Sequence, residues 1–175
     1  MADRVPERVQ AAVDLADPEP DARVLEIGCG PGVGLALLAR RLVDGHATGL
    51  DRSATAIERA ERRLRRFLEE GRVDLQHREL SAFHGDGRPY DVVLGVDLTL
   101  FWVRPAAAEV ERVVDLLAPD GVVHLVFSTP PGQAGAAGEA RRAVVERRVV
   151  DVLGEGGLAA EVTRVGELVC VTARH

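Results

Sequence analysis

Residues 26 to 34, EIGCGPGVG, place an acid, Glu26, two positions before Gly28 and then repeat glycine at Gly30, Gly32 and Gly34. Glycine loses more backbone entropy on folding than any other residue. Such a cluster, set directly after an apolar run and before a helical pattern, marks a place where main chain turns tightly and lies close to a ligand. A turn with redundant glycines is the plainer alternative, but alternation of this regularity exceeds what a turn requires. The charge of the ligand follows from Glu26. Counted from Gly28, the G-x-G-x-x-G dinucleotide fingerprint needs glycine at residue 33, which is Val33. A carboxylate at that place also repels the pyrophosphate which the fingerprint seats on a helix N-terminus. A ligand with a cationic end is not repelled.

The elements that must position this loop are legible as alternation. Valine- and leucine-rich runs at 23–27, 47–51, 73–80, 90–96 and 121–127 are separated by helical patterns at 33–43, 53–69, 105–118 and about 136–153. Strand and helix in alternation predict a parallel sheet covered on both faces. The crossover at 81–89, SAFHGDGRP, is too short and too rich in Gly and Pro for a full helix, so one turn or a loop must serve. A short helix over Val5 to Leu15 precedes the first strand and is closed by the prolines of DPEP. At the other end GLAAEVTRV and ELVCVTAR are joined by Gly166 alone, which permits a hairpin and excludes a crossover helix. Open sheets of this kind bind ligands outside the carboxyl ends of their strands, where strand order reverses. The glycine cluster lies at such an end.

Composition narrows the classes. The 175 residues predict one domain, residues 1–20 forming an N-terminal helix and 22–175 the core. No apolar run reaches the roughly 20 residues of a membrane span. The charged start MADRVPERVQ lacks a secretory signal. A soluble, cytoplasmic protein without membrane partner is expected. Cys29 and Cys170 have no metal-ligand spacing, so neither a zinc site nor any other metal is expected. A net charge of −6 speaks against a nucleic-acid partner. The arginine-rich stretch ERAERRLRRFLEE, 58 to 70, reads instead as a solvated helix with Glu58–Arg62, Glu61–Arg65 and Arg65–Glu69 at i,i+4 spacing.

On these motifs the chain resembles the class I S-adenosylmethionine-dependent methyltransferases. The first motif of that family, an acid followed by x-G-x-G-x-G, is matched by Glu26, Gly28, Gly30 and Gly32. GLDRS places Asp51 at the end of strand two, HREL places Glu79 near the end of strand three, YDVVLGV is similar to the fourth-strand motif, and LLAPDGVVHLVF to the helix, turn and fifth strand. The resemblance implies a Rossmann-like α/β fold, a three-layer sandwich with a seven-stranded, mostly parallel sheet and a C-terminal antiparallel hairpin. It also implies S-adenosyl-L-methionine as cofactor.

By the same resemblance Asp51 accepts from the ribose hydroxyls, the alternative being an N-cap that Ser53 can itself provide. Arg52 either packs on the adenine or is an exposed loop arginine. Glu79 accepts from the adenine amino group, and the Leu80 amide faces a ring nitrogen. Glu26 helps hold the amino-acid end, with the carbonyls of Cys29 and Gly95 as further acceptors, and Gly28 and Gly30 let the backbone approach the cofactor closely.

Asp97, after the fourth strand, either orients or deprotonates an acceptor or caps its loop. The N-P-P-Y or D-P-P-Y of adenine and amide N-methyltransferases is replaced there by Val96, Asp97, Leu98 and Thr99. Phe101 and Trp102 form either an apolar wall for substrate or a packing of the loop on the core, and Ser128 lies past strand five on the same side. His84 falls at the wrong end of the sheet, and His124 within a strand. The expected activity is methyl transfer to an O or N atom of a small-molecule acceptor, governed by alignment, without an added substrate domain. A protein methyltransferase and a non-methylating cofactor-binding member are the alternatives, with NAD-dependent redox chemistry disfavoured by Val33.

Overall fold

The computed structural model describes residues 4–103, 105–129 and 135–175. In chain order the elements are α1 (Glu7–Ala16), β1 (Arg23–Ile27), α2 (Val33–Arg41), β2 (His46–Asp51), α3 (Ala54–Glu69), β3 (Val73–His77), a 3-10 turn at Leu80–Ala82, and β4 (Tyr90–Val96). There follow α4 (Leu100–Val103), α5 (Ala107–Leu116), β5 (Leu117–Phe127), α6 (Ala136–Glu155), β6 (Ala159–Val165) and β7 (Leu168–Arg174). The strands form one seven-stranded sheet in the order β3-β2-β1-β4-β5-β7-β6. Its first five members are mutually parallel, and β7 runs antiparallel to both β5 and β6. This is the Rossmann-like arrangement that the alternation and the terminal hairpin predict.

Two apolar layers cover the sheet. On one face Ala12 and Val13 of α1, Leu35 and Leu38 of α2 and Ile57, Ala60 and Leu64 of α3 pack on Val24, Ala47 and Leu94. On the other, Val110 and Val113 of α5 and Val145, Val149 and Leu153 of α6 pack on Leu25, Val93 and Leu125. Helix α3 buries the stripe Ile57, Ala60 and Leu64 and turns its arginines outward, as an amphipathic helix must. Arg66 closes an i,i+4 ion pair with Glu70 at 2.6 Å, whereas the three pairs predicted from spacing do not close.

Boundaries differ where tertiary contacts outweigh local pattern. Pro6 stands at the N-cap of α1, so that helix begins two residues later than its apolar spacing suggests. Strand β3 stops at His77 rather than reaching 80, and Glu79 stands, without a side-chain cap bond, before the 3-10 turn that serves as the weak crossover. The helix expected at 105–118 is shorter, because Leu117 already pairs with Tyr90 as the start of β5. Among the described residues no helix is long and apolar enough to cross a membrane.

At the far edge α6 and the hairpin are joined by charge. Arg164 of β6 pairs with Glu146 at 2.6 Å and Glu139 at 2.8 Å, and Arg142 bonds Glu139 and Glu167. In the opposite half, Tyr90 is buried and its hydroxyl donates to Thr48 Oγ1 across β1 at 3.1 Å. Tyr90→Phe leaves the buried Thr48 hydroxyl without this partner. Urea denaturation should show a loss of about 1 to 2 kcal/mol with an unchanged m-value.

Candidate cofactor site

Strand order reverses between β1 and β4, so the crevice beyond Ile27 lies where an open sheet binds ligands. Ile27 is in register with Leu50 on one side and Gly95 on the other. The glycine loop leaves this point with positive φ at Gly28, Gly30 and Gly32. Gly30 has φ +53° with open space around its Cα, so its lack of a side chain serves conformation rather than packing. The loop is tied down on both flanks. The amides of Gly28 and Cys29 donate to the Leu50 carbonyl at 2.7 and 3.1 Å. From α3, Arg63 Nε donates to the Pro31 carbonyl at 2.9 Å.

Asp51 closes β2 and holds two turns at once. Its Oδ2 accepts from the Gly30 amide at 2.9 Å and its Oδ1 from the Ser53 amide at 2.8 Å. Ser53 supplies the N-cap of α3, its Oγ accepting from the Ala56 amide at 3.3 Å. The N-cap alternative for Asp51 is thus filled by Ser53.

Glu26 lies beneath the loop, 4% exposed. Its carboxyl rests on the first turn of α2, where a methyl group at Gly34 would collide with it. Burial pushes its pKa up to about 8, opposed by a hydrogen bond from the Leu35 amide and assisted by the negative charge of Asp51. Glu26 Oε2 is buried without a hydrogen-bond partner among the described residues. An unsatisfied acceptor next to a second carboxylate suits the cationic end of a sulfonium amino acid, and opposes a pyrophosphate.

Above the loop opens a cavity of about 310 Å³ lined by Gly28, Asp51, Arg52, Glu79, Leu80 and Asp97, among others. Cys29 is buried behind it, its thiol pKa raised by burial and by the charges of Glu26 and Asp51, which removes it as a nucleophile. Gly95 is buried in β4. Among the described residues no group of three His, Cys, Asp or Glu side chains could hold a metal ion.

Past β4 and β5 lie the residues considered for the acceptor. Phe101 is 1% exposed and belongs to the core. Trp102 also packs against that core, with the Arg141 guanidinium 4.6 Å above its ring, and does not line the cavity. Ser128 is bound to Asp97 rather than turned to the cavity: its amide donates to Oδ1 at 2.7 Å, and its hydroxyl lies 3.0 and 2.9 Å from the two carboxylate oxygens. Arg8 of α1 adds an ion pair to Oδ2 at 2.8 Å. Asp97 has φ +54°. Asp97 thus ties the ends of β4 and β5 to α1 while still lining the cavity.

Glu109 was missed. It is 7% exposed and lines the cavity from α5. Its signal was available in the pattern Ala106, Glu109, Val113 and Leu116, which puts an acid on the buried stripe. Arg8 and Arg63 gave no comparable signal, because their partners are distant in sequence.

The fold is a Rossmann-like α/β sheet whose crevice beyond β1 is bordered by two acids, Glu26 and Asp51. The model of a methyltransferase domain matches residues 24–121, and the chain belongs to the class I S-adenosylmethionine-dependent methyltransferase family. It is 31% identical over 113 residues to a trans-aconitate 2-methyltransferase of Streptomyces avermitilis, covering 65% of this chain and 40% of that protein. Against a nocamycin O-methyltransferase of Saccharothrix syringae it is 34% identical over 126 residues, covering 68% and 42%. The chain thus spans about two fifths of the length of these curated relatives. A SAM-dependent methyltransferase from Aquifex aeolicus has the same fold, with a TM-score of 0.73, 17% identity, and coverage of 97% of this chain and 89% of that one.

Proposed function

We propose that this chain binds S-adenosylmethionine in the crevice beyond β1 and transfers its methyl group to an oxygen or nitrogen of a small-molecule acceptor. The observation that carries the proposal is the pairing of a tied-down glycine loop with two carboxylates, Glu26 buried beneath it and Asp51 at its side. In this reading Asp51 grips the ribose, Glu79 and the Leu80 amide face the adenine, Arg52 flanks it, and Glu26 balances the amino-acid end. Gly28, Gly30, Cys29 and Gly95 supply floor and carbonyls. The bound cofactor supplies an already activated methyl group. The chain's own task is then to align an acceptor and exclude water, and alignment alone contributes on the order of 7 to 11 kcal/mol.

An oxygen acceptor that arrives ionised, above all a carboxylate, is favoured over an amine or alcohol. Such a nucleophile needs no base near neutral pH. Asp97, the base offered by the sequence, is occupied by Ser128 and Arg8. The names of the relatives, a trans-aconitate 2-methyltransferase and a nocamycin O-methyltransferase, support the same preference.

The test is incubation of the purified protein with S-adenosylmethionine and a panel of small carboxylic acids, phenols and amines, followed by mass spectrometry. Gain of one methyl on carboxylic acids with release of S-adenosylhomocysteine is the expected result. Methylation confined to amines would refute the oxygen preference. Cofactor that binds but is never consumed, across a broad panel, would overturn methyl transfer.

A further inference from the structure

Leu98 lies astride the switch point of the sheet. A methyl group at Gly28, past the end of β1, would sit 2.6 Å from Leu98 Cδ2. One at Gly95, in the neighbouring strand β4, would collide with Leu98 Cδ1. The leucine is half-buried, packs against the core, and lines the cavity together with Gly28 and Asp51. In this structure, then, the bare surfaces of both glycines are covered by an isobutyl group of this same chain.

We propose that Leu98 is a residue that sets cofactor affinity by occupying the glycine floor in competition with the ligand. The inference rests on the cofactor reading above and adds to it a self-occluded state. Ligand and leucine cannot share the floor, since the side chain already stands at contact distance from both glycines. An alkyl chain of similar bulk, such as the aminobutyrate arm of a sulfonium nucleoside, takes its place when the leucine turns away. The backbone is anchored on both sides of Leu98. Before it, Asp97 is fixed by Ser128 and Arg8. After it, the Thr99 carbonyl accepts from the Trp102 and Val103 amides at 3.2 and 3.0 Å, and Phe101 is buried in the core. With both flanks held, a rotation of the Leu98 side chain itself must absorb the change.

The energetic consequence is a population effect. If only a fraction of molecules hold Leu98 off the floor, the apparent dissociation constant is the intrinsic one divided by that fraction. Removing the side chain abolishes the competition and raises affinity, the reverse of what loss of a favourable contact does. The association rate carries the gain, because the competent state no longer has to be awaited.

Titration calorimetry and stopped-flow binding of S-adenosylhomocysteine to the wild type, Leu98→Ala and Leu98→Phe test the proposal. Leu98→Ala should bind roughly tenfold more tightly, with the increase in the association rate, and Leu98→Phe should bind more weakly than wild type. Binding by the wild type with equal or weaker binding by Leu98→Ala would overturn the inference and leave the cofactor site standing. Absence of binding in both proteins would overturn the cofactor reading and this inference with it. Binding by Leu98→Ala alone would support both. Should Leu98→Ala melt far below the wild type, Leu98→Val carries the same comparison: tighter binding upholds the proposal, and unchanged or weaker binding defeats it.

Discussion

Asp51→Ala is expected to lower the affinity for S-adenosylhomocysteine by two orders of magnitude or more while the protein stays folded. Two losses combine. Hydrogen bonds from ribose hydroxyls to a carboxylate contribute roughly 1.5 to 3 kcal/mol each, so removing a pair accounts for at least a hundredfold. The same substitution frees the Gly30 amide, which Asp51 Oδ2 holds at 2.9 Å, and lets the glycine loop leave its seat. Ser53 keeps its cap on α3 through its own hydroxyl, which is why the fold should survive. Asp51→Asn separates the two effects, since the amide oxygen can still accept from Gly30 without the charge. Calorimetry on both variants checks the expectation, and affinity unchanged in Asp51→Ala would remove this residue from the site.

Glu26→Gln is expected to change how both stability and binding depend on pH. Folding raises the Glu26 pKa from its ordinary value of 4.5 to about 8, chiefly through burial. Between these values the native state holds a proton that the unfolded chain has released. Stability is therefore full below about pH 4.5, falls as pH rises toward 8, and levels off above it. Each unit of such a shift corresponds to about 1.4 kcal/mol, so the loss is on the order of a few kcal/mol.

A cationic ligand reverses the preference. It favours ionised Glu26, so its affinity should rise with pH up to about 8, and binding below that value should release a proton. Glu26→Gln has no such proton to lose. Urea midpoints and binding constants measured from pH 5 to 9 should slope in the wild type and be nearly flat for this residue's part in the variant. Parallel slopes in the two proteins would show that Glu26 does not titrate in this range.

The sheet and the geometry of the glycine loop were legible because their signals are local. An apolar run, an acid and alternating glycines are adjacent in sequence, and the same residues are adjacent at the end of β1. Asp51 and Ser53 likewise divide their roles within three positions. The acceptor side was not legible for the opposite reason. Whether Asp97 is free to act depends on Arg8 and Ser128, which come from α1 and the end of β5. Phe101 reads as a loop aromatic until the short helix α4 turns it into the core. The split between α4 and α5 carried no periodicity long enough to detect, and the early start of β5 at Leu117 is set by its pairing with Tyr90 rather than by its own residues.

The placement of β7 between β5 and β6 has a consequence for how the chain reaches its native state. Residues 159–165 exist before residues 168–174, yet only the later strand lies against β5. On a growing polypeptide the apolar border at Val123 to Phe127 must wait, unpaired, for the reversed strand to be synthesised. Throughout that interval it is a template for another nascent chain, so slow translation of the intervening stretch prolongs the hazard of misassembly.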